Sequence, residues 1–451
     1  MDRRDFLKIA GAGAASAAAI SCAGGKKTGA DTGTMPSAST GEGDMEYRDG
    51  AKGDRVSLLG YGCMRWPMTG NDRSAFIDQE RVNELVDRAI AGGVNYFDTS
   101  PTYLRGQSEK ATGIALSRHP RKSYYIATKL SNFADFSRRS TEKMYHDSFD
   151  QMQTDWFDYY LLHAIGRGGY NAFRTRYEDN GIMEFLLKER EAGRIRNLGF
   201  SFHGSKPEFD QLLALDDKYH WDFVQIQMNY LDWRHADGVS NSQAEYLYGE
   251  LDRRGIPIAV MEPIRGGFLA SPPEAVARQF KERRPADSSA SWAFRFVGSY
   301  PRVMTVLSGM TYMEHLEDNL KTFKGFRYMD GEELEFMDRM AGLIADYPTV
   351  ECTACQYCMP CPYGINIPKI FKHYNDAVKE GLVAQSASQE DFKRLRKAYL
   401  TGYNREVPPL RQADHCIGCG QCKEHCPQSI DIPKQLHRID RYVEKLKRGT
   451  L

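Results

Sequence analysis

The chain has 451 residues, of which 41% are hydrophobic and 27% charged, and its 60 Lys and Arg residues balance 60 Asp and Glu residues. This composition is typical of globular domains with a substantial core, and the length predicts two or three of them. Because the net charge is zero, the overall charge does not favour nucleic acid or an anionic membrane surface as the main partner. No run reaches the ~20 apolar residues that a membrane-spanning helix needs.

The N-terminal segment, residues 1–22, has the features of an export signal. Arg3 and Arg4 precede a short stretch of Ala and Gly, which resembles a twin-arginine signal. The residues Ala-Ile-Ser-Cys, ending at Cys22, also resemble a lipoprotein cleavage box, in which Cys22 would carry the lipid. The alternative is a disordered basic tail. With the spacer at 23–46, this segment predicts a periplasmic protein whose membrane contact, if any, is a lipid anchor on Cys22.

Residues 47–347 alternate short apolar runs with longer amphipathic ones. The apolar runs have the length and the Val, Ile and Tyr content of buried parallel strands. They lie at 94–97, 124–128, 157–162, 197–201, 223–228, 256–261 and 303–307, with an eighth at 60–64. This series favours an α/β fold, a closed (β/α)8 barrel, over an open doubly wound sheet, which would carry Gly-x-Gly-x-x-Gly after an early strand.

Four polar side chains follow consecutive strands of this predicted barrel. Asp98, Lys129 and His163 come directly after three neighbouring runs, and Tyr103 lies on the loop beyond Asp98. Because barrels of this type carry out catalysis at the carboxyl ends of their strands, we expect the four to converge on one rim. An ammonium group nearby lowers the pKa of a phenol, so we expect Lys129 to lower that of Tyr103. Singly, each residue has a structural explanation; together they predict a catalytic group.

The segments around these residues resemble the aldo/keto reductase family. The similar motifs lie at 97–103, 127–129, 160–163 and 193–201, and the similarity extends over about two thirds of the chain. The resemblance implies hydride transfer between a nicotinamide dinucleotide, NAD(P), and a small carbonyl or alcohol compound. It gives Tyr103 the role of proton donor, with Lys129, Asp98 and His163 as its catalytic partners.

The resemblance also implies a binding site for the dinucleotide. The matching residues are Ser201 and Gln225 for the nicotinamide carboxamide, Gly266 and Gly267 for the pyrophosphate, and Asp318 and Asn319 for the adenine end. Gly309 and His315 stand where the family has the cations that clamp the 2′-phosphate of NADP. The choice between NAD and NADP therefore stays open.

The region 348–451 carries eight of the ten cysteines in two groups. The groups read Cys352-x2-Cys355-x2-Cys358-x2-Cys361-Pro and Cys416-x2-Cys419-x2-Cys422-x3-Cys426-Pro. In two-cluster ferredoxins the fourth Cys of each group binds the other cluster. The spacing therefore predicts one [4Fe-4S] cluster on Cys352, Cys355, Cys358 and Cys426, and a second on Cys416, Cys419, Cys422 and Cys361.

Two alternatives for these cysteines are weaker. Zinc modules separate their Cys pairs instead of placing four cysteines within ten residues. Cysteines separated by only two residues seldom have the geometry of a disulfide. The stretches 367–380 and 389–401 between the groups have helical patterns, so this small, mainly helical domain resembles the α-helical ferredoxins of electron-transfer subunits.

The whole sequence predicts a hydride-transfer barrel joined to a one-electron module. We expect the clusters to exchange electrons with an external carrier, while the barrel acts on a carbonyl or hydroxyl compound. The alternative function is non-catalytic: an electron-transfer or scaffold subunit that uses its barrel as a docking surface. The substrate is not evident from the sequence.

Overall fold

The structure is a computed structural model that describes residues 43–70, 75–236, 242–345, 349–428 and 430–451. The predicted export signal and Cys22 lie outside these residues, as does the predicted spacer up to residue 42. The chain forms two compact units. One contains the described residues up to Pro263 together with Phe294–Arg339, and the other contains Ile264–Ala293 and the described residues from Met340 onward.

The first unit is built on a closed barrel of eight parallel strands, which confirms the predicted fold class. The strands described are β1 (Tyr47–Asp49), β2 (Arg55–Ser57), β3 (Leu59–Gly62), β4 (Tyr96–Asp98), β5 (Tyr125–Leu130), β6 (Phe157–Ile165), β7 (Ile195–Phe202), β8 (Phe223–Gln227), β9 (Ile258–Met261) and β10 (Val303–Ser308). Around the barrel they pair in the order β10-β3-β4-β5-β6-β7-β8-β9. The strand predicted at 60–64 ends at Gly62, because Cys63–Arg65 form a 3-10 turn.

Helices follow most of these strands. The helices of the chain up to residue 345 are α1 (Gln79–Ala91), α2 (Ser108–Leu116), α3 (Arg138–Met152), α4 (Gly169–Phe173), α5 (Ile182–Glu191), α6 (Lys206–Leu213), α7 (Asp216–Tyr219), α8 (Asp232–His235), α9 (Ala244–Arg254), α10 (Glu274–Arg283), α11 (Ser289–Gly298), α12 (Met313–Phe323) and α13 (Gly331–Ala345). The first shows how the sequence specifies them. Asp78 caps α1 by accepting a hydrogen bond from the Arg81 N–H, and the helix ends at Gly92.

A hairpin that the sequence analysis did not predict closes the amino-terminal end of the barrel. Strands β1 and β2 pair antiparallel, and Ala51 and Val56 from this hairpin join the core inside the barrel. The Tyr159 hydroxyl, inside the barrel, donates a hydrogen bond to Asp54 Oδ2 over 2.8 Å. The side chains of the hairpin fill this end of the barrel. The candidate catalytic residues therefore lie at the opposite end, at the carboxyl ends of the strands.

The second unit contains the cysteine-rich region and is mainly helical, as predicted. Its helices after residue 345 are α14 (Ile367–Lys379), α15 (Phe392–Glu406), α16 (Gln421–Glu424) and α17 (Ile432–Arg448). Their apolar faces form one core, to which Phe371, Tyr399, Leu436 and Ile439 contribute and against which several cysteines pack. Within the part of the chain that the structure describes, no helix is both long and apolar enough to cross a membrane.

Candidate active site and cluster site

A buried ion pair lies at the carboxyl ends of β4 and β5. The Lys129 ammonium donates to Asp98 Oδ1 over 2.5 Å and to the Thr99 carbonyl oxygen over 2.8 Å. Gln225, at the middle of β8, donates to the other carboxylate oxygen of Asp98 over 3.1 Å. Burial raises the pKa of Asp98, although the Lys129 charge and these hydrogen bonds oppose the shift. Lys129 is therefore fixed in place by two strands and has little freedom to move.

Tyr103 lies directly beside this pair, as the sequence predicted. The Lys129 nitrogen is 4.8 Å from the centre of the phenol ring. The pKa of Tyr103, however, is raised well above its usual value, first by desolvation and then by electrostatic interactions with Asp98, Cys63 and Glu262. The expectation of a Tyr103 pKa below its usual value is therefore wrong, because desolvation raises this pKa. At neutral pH the phenol keeps its proton.

His163 completes the group and is held by a residue that the sequence analysis missed. The rings of His163 and Tyr103 lie 5.9 Å apart. Ser131 Oγ lies 2.5 Å from His163 Nδ1 and 2.9 Å from Ser100 Oγ. Burial, followed by the charge of Lys129, lowers the pKa of His163 well below its usual value, so the ring is neutral. In the tautomer in which Ser131 donates to Nδ1, the ring proton lies on Nε2.

Removing the Ser131 hydroxyl is expected to loosen this arrangement. We predict that Ser131→Ala lowers the rate of carbonyl reduction about fivefold, the effect of one hydrogen bond of about 1 kcal/mol. Single-turnover kinetics measure the change, and the exposed Ser123→Ala variant serves as control. An unchanged rate in Ser131→Ala would show that this contact does not orient the imidazole.

The residues predicted to bind the nicotinamide lie next to the catalytic group. Ser201 Oγ accepts a hydrogen bond from the N–H of Ala164, which follows His163, over 2.8 Å. Its own O–H is left as a donor, and Gln225, which donates to Asp98, is left with Oε1 as an acceptor. A carboxamide needs one donor and one acceptor of this kind. The residues present therefore fit the nicotinamide end of a dinucleotide.

The residues predicted for the adenine end lie near the carboxyl end of β10. Asn319 on α12 is buried and donates to Ser308 Oγ over 2.9 Å, and Asp318 precedes it on the same helix. Gly309 packs against the side-chain stem of Arg65. A Cβ atom at Gly309 would lie only 2.7 Å from Arg65 Cγ. The absence of a side chain at Gly309 thus makes room for an arginine from the turn after β3. Sequence reasoning missed this residue, because its placement depends on two distant segments.

The sequence analysis also missed a second buried carboxyl group, which is hydrogen-bonded to Thr128, the residue before Lys129. Glu109 on α2 is 2% exposed and accepts hydrogen bonds from Thr128 over 2.5 Å and from Ser148 over 3.2 Å. Burial raises its pKa to about 7, against an ordinary value of 4.5. The folded protein therefore binds this proton more tightly than the unfolded chain does.

Glu109 gives the protein a predictable pH dependence of stability. Because its folded pKa is raised, its favourable contribution is complete below about pH 4.5 and is lost as the pH rises to about 7. We predict that the free energy of unfolding of Glu109→Gln, compared with wild type, rises by about 3 kcal/mol between these pH values. Anaerobic urea denaturation at each pH measures it. The exposed Glu80→Gln is the control, and an equal pH response in both variants would contradict the assignment.

In the second unit, the fourth cysteine of each sequence group lies beside cysteines of the other group, while the assignment of cysteines to two clusters stays a prediction. Cys352, Cys355, Cys358 and Cys426 line a single cavity. Burial raises the pKa of Cys416 and of Cys422, and a smaller electrostatic interaction with Cys361 adds to the shift, so Cys361 lies with the other group. Among the described residues, no three His, Cys, Asp or Glu side chains converge closely enough to bind one ion. Thiolates arranged around a cavity fit a cubane, whose cysteines bind different irons, better than they fit zinc.

The two glycines predicted for the pyrophosphate, Gly266 and Gly267, belong to the second unit. They lie in a 3-10 segment, Arg265–Ala270, and have φ angles of 60° and 102°. The Gly267 N–H donates to the Ile264 carbonyl oxygen over 3.0 Å and so is engaged within the turn. The role of the two glycines in pyrophosphate binding stays a prediction.

Two family models match this chain. Residues 58–340 match the aldo/keto reductase family, and residues 351–431 match a 4Fe-4S dicluster domain. Similar proteins include the L-galactose dehydrogenase of Arabidopsis thaliana, 25% identical over 289 residues, which are 60% of this chain and 85% of that protein. Another is the protein tas of Escherichia coli K12, 22% identical over 316 residues, which are 59% of this chain and 89% of that protein.

Solved structures with the same barrel include two aldo-keto reductases. One, from Bacillus halodurans in its holo form, is 21% identical with a TM-score of 0.52 and covers 66% of this chain and 96% of its own. The other, from Klebsiella pneumoniae in complex with NADPH, is 19% identical with a TM-score of 0.53 and covers 68% of this chain and 98% of its own. At these identities the similarity shows the fold alone.

Proposed function

Because this chain is an oxidoreductase that belongs to the aldo/keto reductase family, we propose that its barrel interconverts a small carbonyl compound and the corresponding alcohol. A bound nicotinamide dinucleotide supplies the hydride. The observation that carries the proposal is the convergence of four side chains at the strand ends. Lys129 is bound to Asp98, its nitrogen lies 4.8 Å from the Tyr103 ring, and the His163 ring lies 5.9 Å from that ring.

Tyr103 is the proton donor in this proposal. Its raised pKa keeps the hydroxyl protonated until negative charge develops on the substrate oxygen, which then takes the proton. The phenolate that this transfer leaves behind is stabilised by the ammonium of Lys129, which Asp98 and the Thr99 carbonyl hold at a fixed distance. Since Asp98 and Glu262 disfavour a phenolate in the free enzyme, Tyr103 enters the reaction as an acid, which is the protonation state that carbonyl reduction requires.

His163 orients the carbonyl oxygen. Its neutral ring has Nδ1 engaged by Ser131, so the Nε2–H faces away from that contact and donates to the substrate. A neutral imidazole donates this hydrogen bond without competing with Tyr103 to deliver the proton. The two residues therefore have separate tasks, one positioning the carbonyl and the other protonating it.

We propose NADP(H), with NAD(H) as the alternative, as the dinucleotide. The Klebsiella pneumoniae structure similar to this chain contains NADPH. Gly309 lacks the clamping cation of the family, and the stem of Arg65 lies over this glycine. Fluorescence titrations of the purified protein with NADPH and with NADH decide between them, and a failure of both to bind would contradict hydride chemistry in the barrel.

We propose that the C-terminal domain holds two [4Fe-4S] clusters and exchanges single electrons with an external carrier. The two crossed cysteine sets and the match to a dicluster domain support two clusters. Anaerobic purification should give a brown protein with about eight irons per chain. A colourless, zinc-loaded protein would contradict this proposal.

The function is tested directly by single turnover. Anaerobic protein loaded with NADPH is mixed with a panel of aldehydes and ketones, and loss of the absorbance of the reduced nicotinamide is followed. We expect at least one carbonyl to be reduced. If the clusters load but no dinucleotide binds and no carbonyl reacts, the rival function, a non-catalytic electron-transfer or scaffold subunit, is the better account.

We also propose that the protein is exported by the twin-arginine route and anchored through Cys22. The paired arginines and the lipoprotein-like Ala-Ile-Ser-Cys support this. We predict that replacing both Arg3 and Arg4 by lysine retains the protein in the cytoplasm of a bacterial host, and that Cys22→Ala moves it from the membrane to the soluble periplasmic fraction. Cell fractionation and blotting measure both, and unchanged distributions would contradict each part separately.

A further inference from the structure

A turn that follows β9 packs against the first cysteine group. The turn is Arg265–Gly267, and both it and the cysteine group belong to the second compact unit. Arg265, whose side chain is 9% exposed, forms an ion pair with Glu351. A Cβ placed on Gly266 would overlap the Thr353 methyl group and lie 2.9 Å from Thr353 Cβ. The residues on either side of Cys352 thus hold this turn.

Each of the two segments in this contact has one residue other than glycine in a left-handed backbone conformation. Arg265, Gly266 and Gly267 have φ angles of 47°, 60° and 102°, and Ala354, next to Thr353, has a φ of 52°. A left-handed conformation costs a residue other than glycine about 1–2 kcal/mol. Such conformations persist where the surroundings impose them, and these two segments pack against each other.

The contact joins two candidate ligand sites. Thr353 lies between Cys352 and Cys355, which both line the cavity of the first cluster. Gly266 and Gly267 are the residues assigned to the pyrophosphate, an assignment that rests on the proposed function. We propose that Glu351 and Thr353 are positioning residues that couple the first [4Fe-4S] cluster energetically to the dinucleotide-binding turn. Occupation of one site then changes the affinity of the other, and the effect is reciprocal.

The sign of this coupling is set by charge. Reduction adds one negative charge to the cluster, and a pyrophosphate is itself anionic, so the reduced cluster weakens pyrophosphate binding. Reciprocity then requires that a bound pyrophosphate lowers the reduction potential of that cluster. A tenfold difference in affinity between the two cluster states corresponds to about 59 mV for a one-electron couple. The second cluster, whose cysteines lie outside this contact, should not respond.

The experiment uses ADP-ribose, which has the pyrophosphate but no redox-active nicotinamide. Anaerobic holoprotein is titrated potentiometrically with EPR detection, with and without saturating ADP-ribose. We expect the potential of one cluster to fall by about 59 mV and that of the other to stay constant. Thr353→Val keeps the shape that contacts Gly266 and should keep the shift, whereas Thr353→Ala should lose at least half of it. Equal shifts in both variants, or no shift in wild type that binds ADP-ribose, would overturn the coupling.

A second comparison needs no dinucleotide. Gly266→Ala places a methyl group against Thr353, whereas Gly267→Ala has a left-handed φ but no atom within 4 Å of the new Cβ. We expect Gly266→Ala to lose about half of its iron and Gly267→Ala to keep it. Equal losses would overturn the role of Thr353. If wild type fails to bind ADP-ribose, the proposed dinucleotide site fails, while this iron comparison still decides whether the turn supports the first cluster.

Discussion

Tyr103→Phe is expected to lower kcat for carbonyl reduction by about 10²–10⁴-fold, the usual contribution of a positioned general acid. The substitution removes one oxygen and leaves the ring beside Lys129 and His163 in place. Because Tyr103 lies in the first compact unit, its loss should leave the iron content unchanged. Dinucleotide affinity should also be retained, since the proton is used only in the chemical step.

Single-turnover reduction of a carbonyl substrate measures this prediction, with iron content and NADPH affinity determined on the same samples. Tyr246→Phe is the matched control, because the Tyr246 hydroxyl is bonded to Asp210 on the outside of the barrel. A Tyr103→Phe enzyme that retains wild-type kcat would exclude this phenol as the proton donor. A fall in rate accompanied by loss of NADPH binding would point to disruption of the site instead.

Lys129 offers a less direct test of the same mechanism. Its side chain is fully buried and bound to Asp98, so removing either partner leaves an uncompensated charge in the interior. Breaking such a pair costs about 3–5 kcal/mol. Lys129→Met would therefore lower activity through loss of folded protein as well as through loss of the ammonium. Tyr103→Phe separates chemistry from stability because it changes no charge.

The catalytic group could be predicted because it depends on a regular feature of the fold. In a parallel barrel the strands end at one rim, and in β4 and β5 the register sets Asp98 beside Ala127, two residues before Lys129. Apolar runs followed by a polar residue thus mark the site in the sequence alone. Ser131 is also a polar residue at the end of β5, two residues after Lys129. The sequence analysis did not identify it, because the strand predicted at 124–128 is shorter than the observed strand.

The features that were missed depend on contacts between distant segments. The hairpin of β1 and β2 is too short to be recognised from its composition. Arg65 and Gly309 are far apart in the sequence and come into contact only in the folded barrel. The pKa of Tyr103 was predicted with the wrong sign for a related reason. Sequence shows which charges are neighbours, whereas the extent of desolvation depends on how all the surrounding segments pack.

The cysteine spacing makes a prediction that iron analysis can settle. Cys426 lies four residues after Cys422 in the sequence, yet it lines the cavity formed with Cys352, Cys355 and Cys358. Cys426→Ala is therefore expected to abolish the cluster of the first cysteine group and to leave that of the second. The protein should lose about half of its iron, which anaerobic iron and sulfide analysis measures together with EPR of the remaining cluster.

Paired substitutions distinguish crossed from uncrossed ligation. If Cys426 and Cys355 bind the same cluster, the double variant Cys355→Ala with Cys426→Ala should keep about half of the iron, as each single variant does. Cys419→Ala with Cys426→Ala should then lose almost all of it, because each substitution removes a ligand from a different cluster. Cys63→Ala, at a buried cysteine outside both groups, controls for general loss of cysteine. The reverse pattern would show that each cysteine group holds its own cluster.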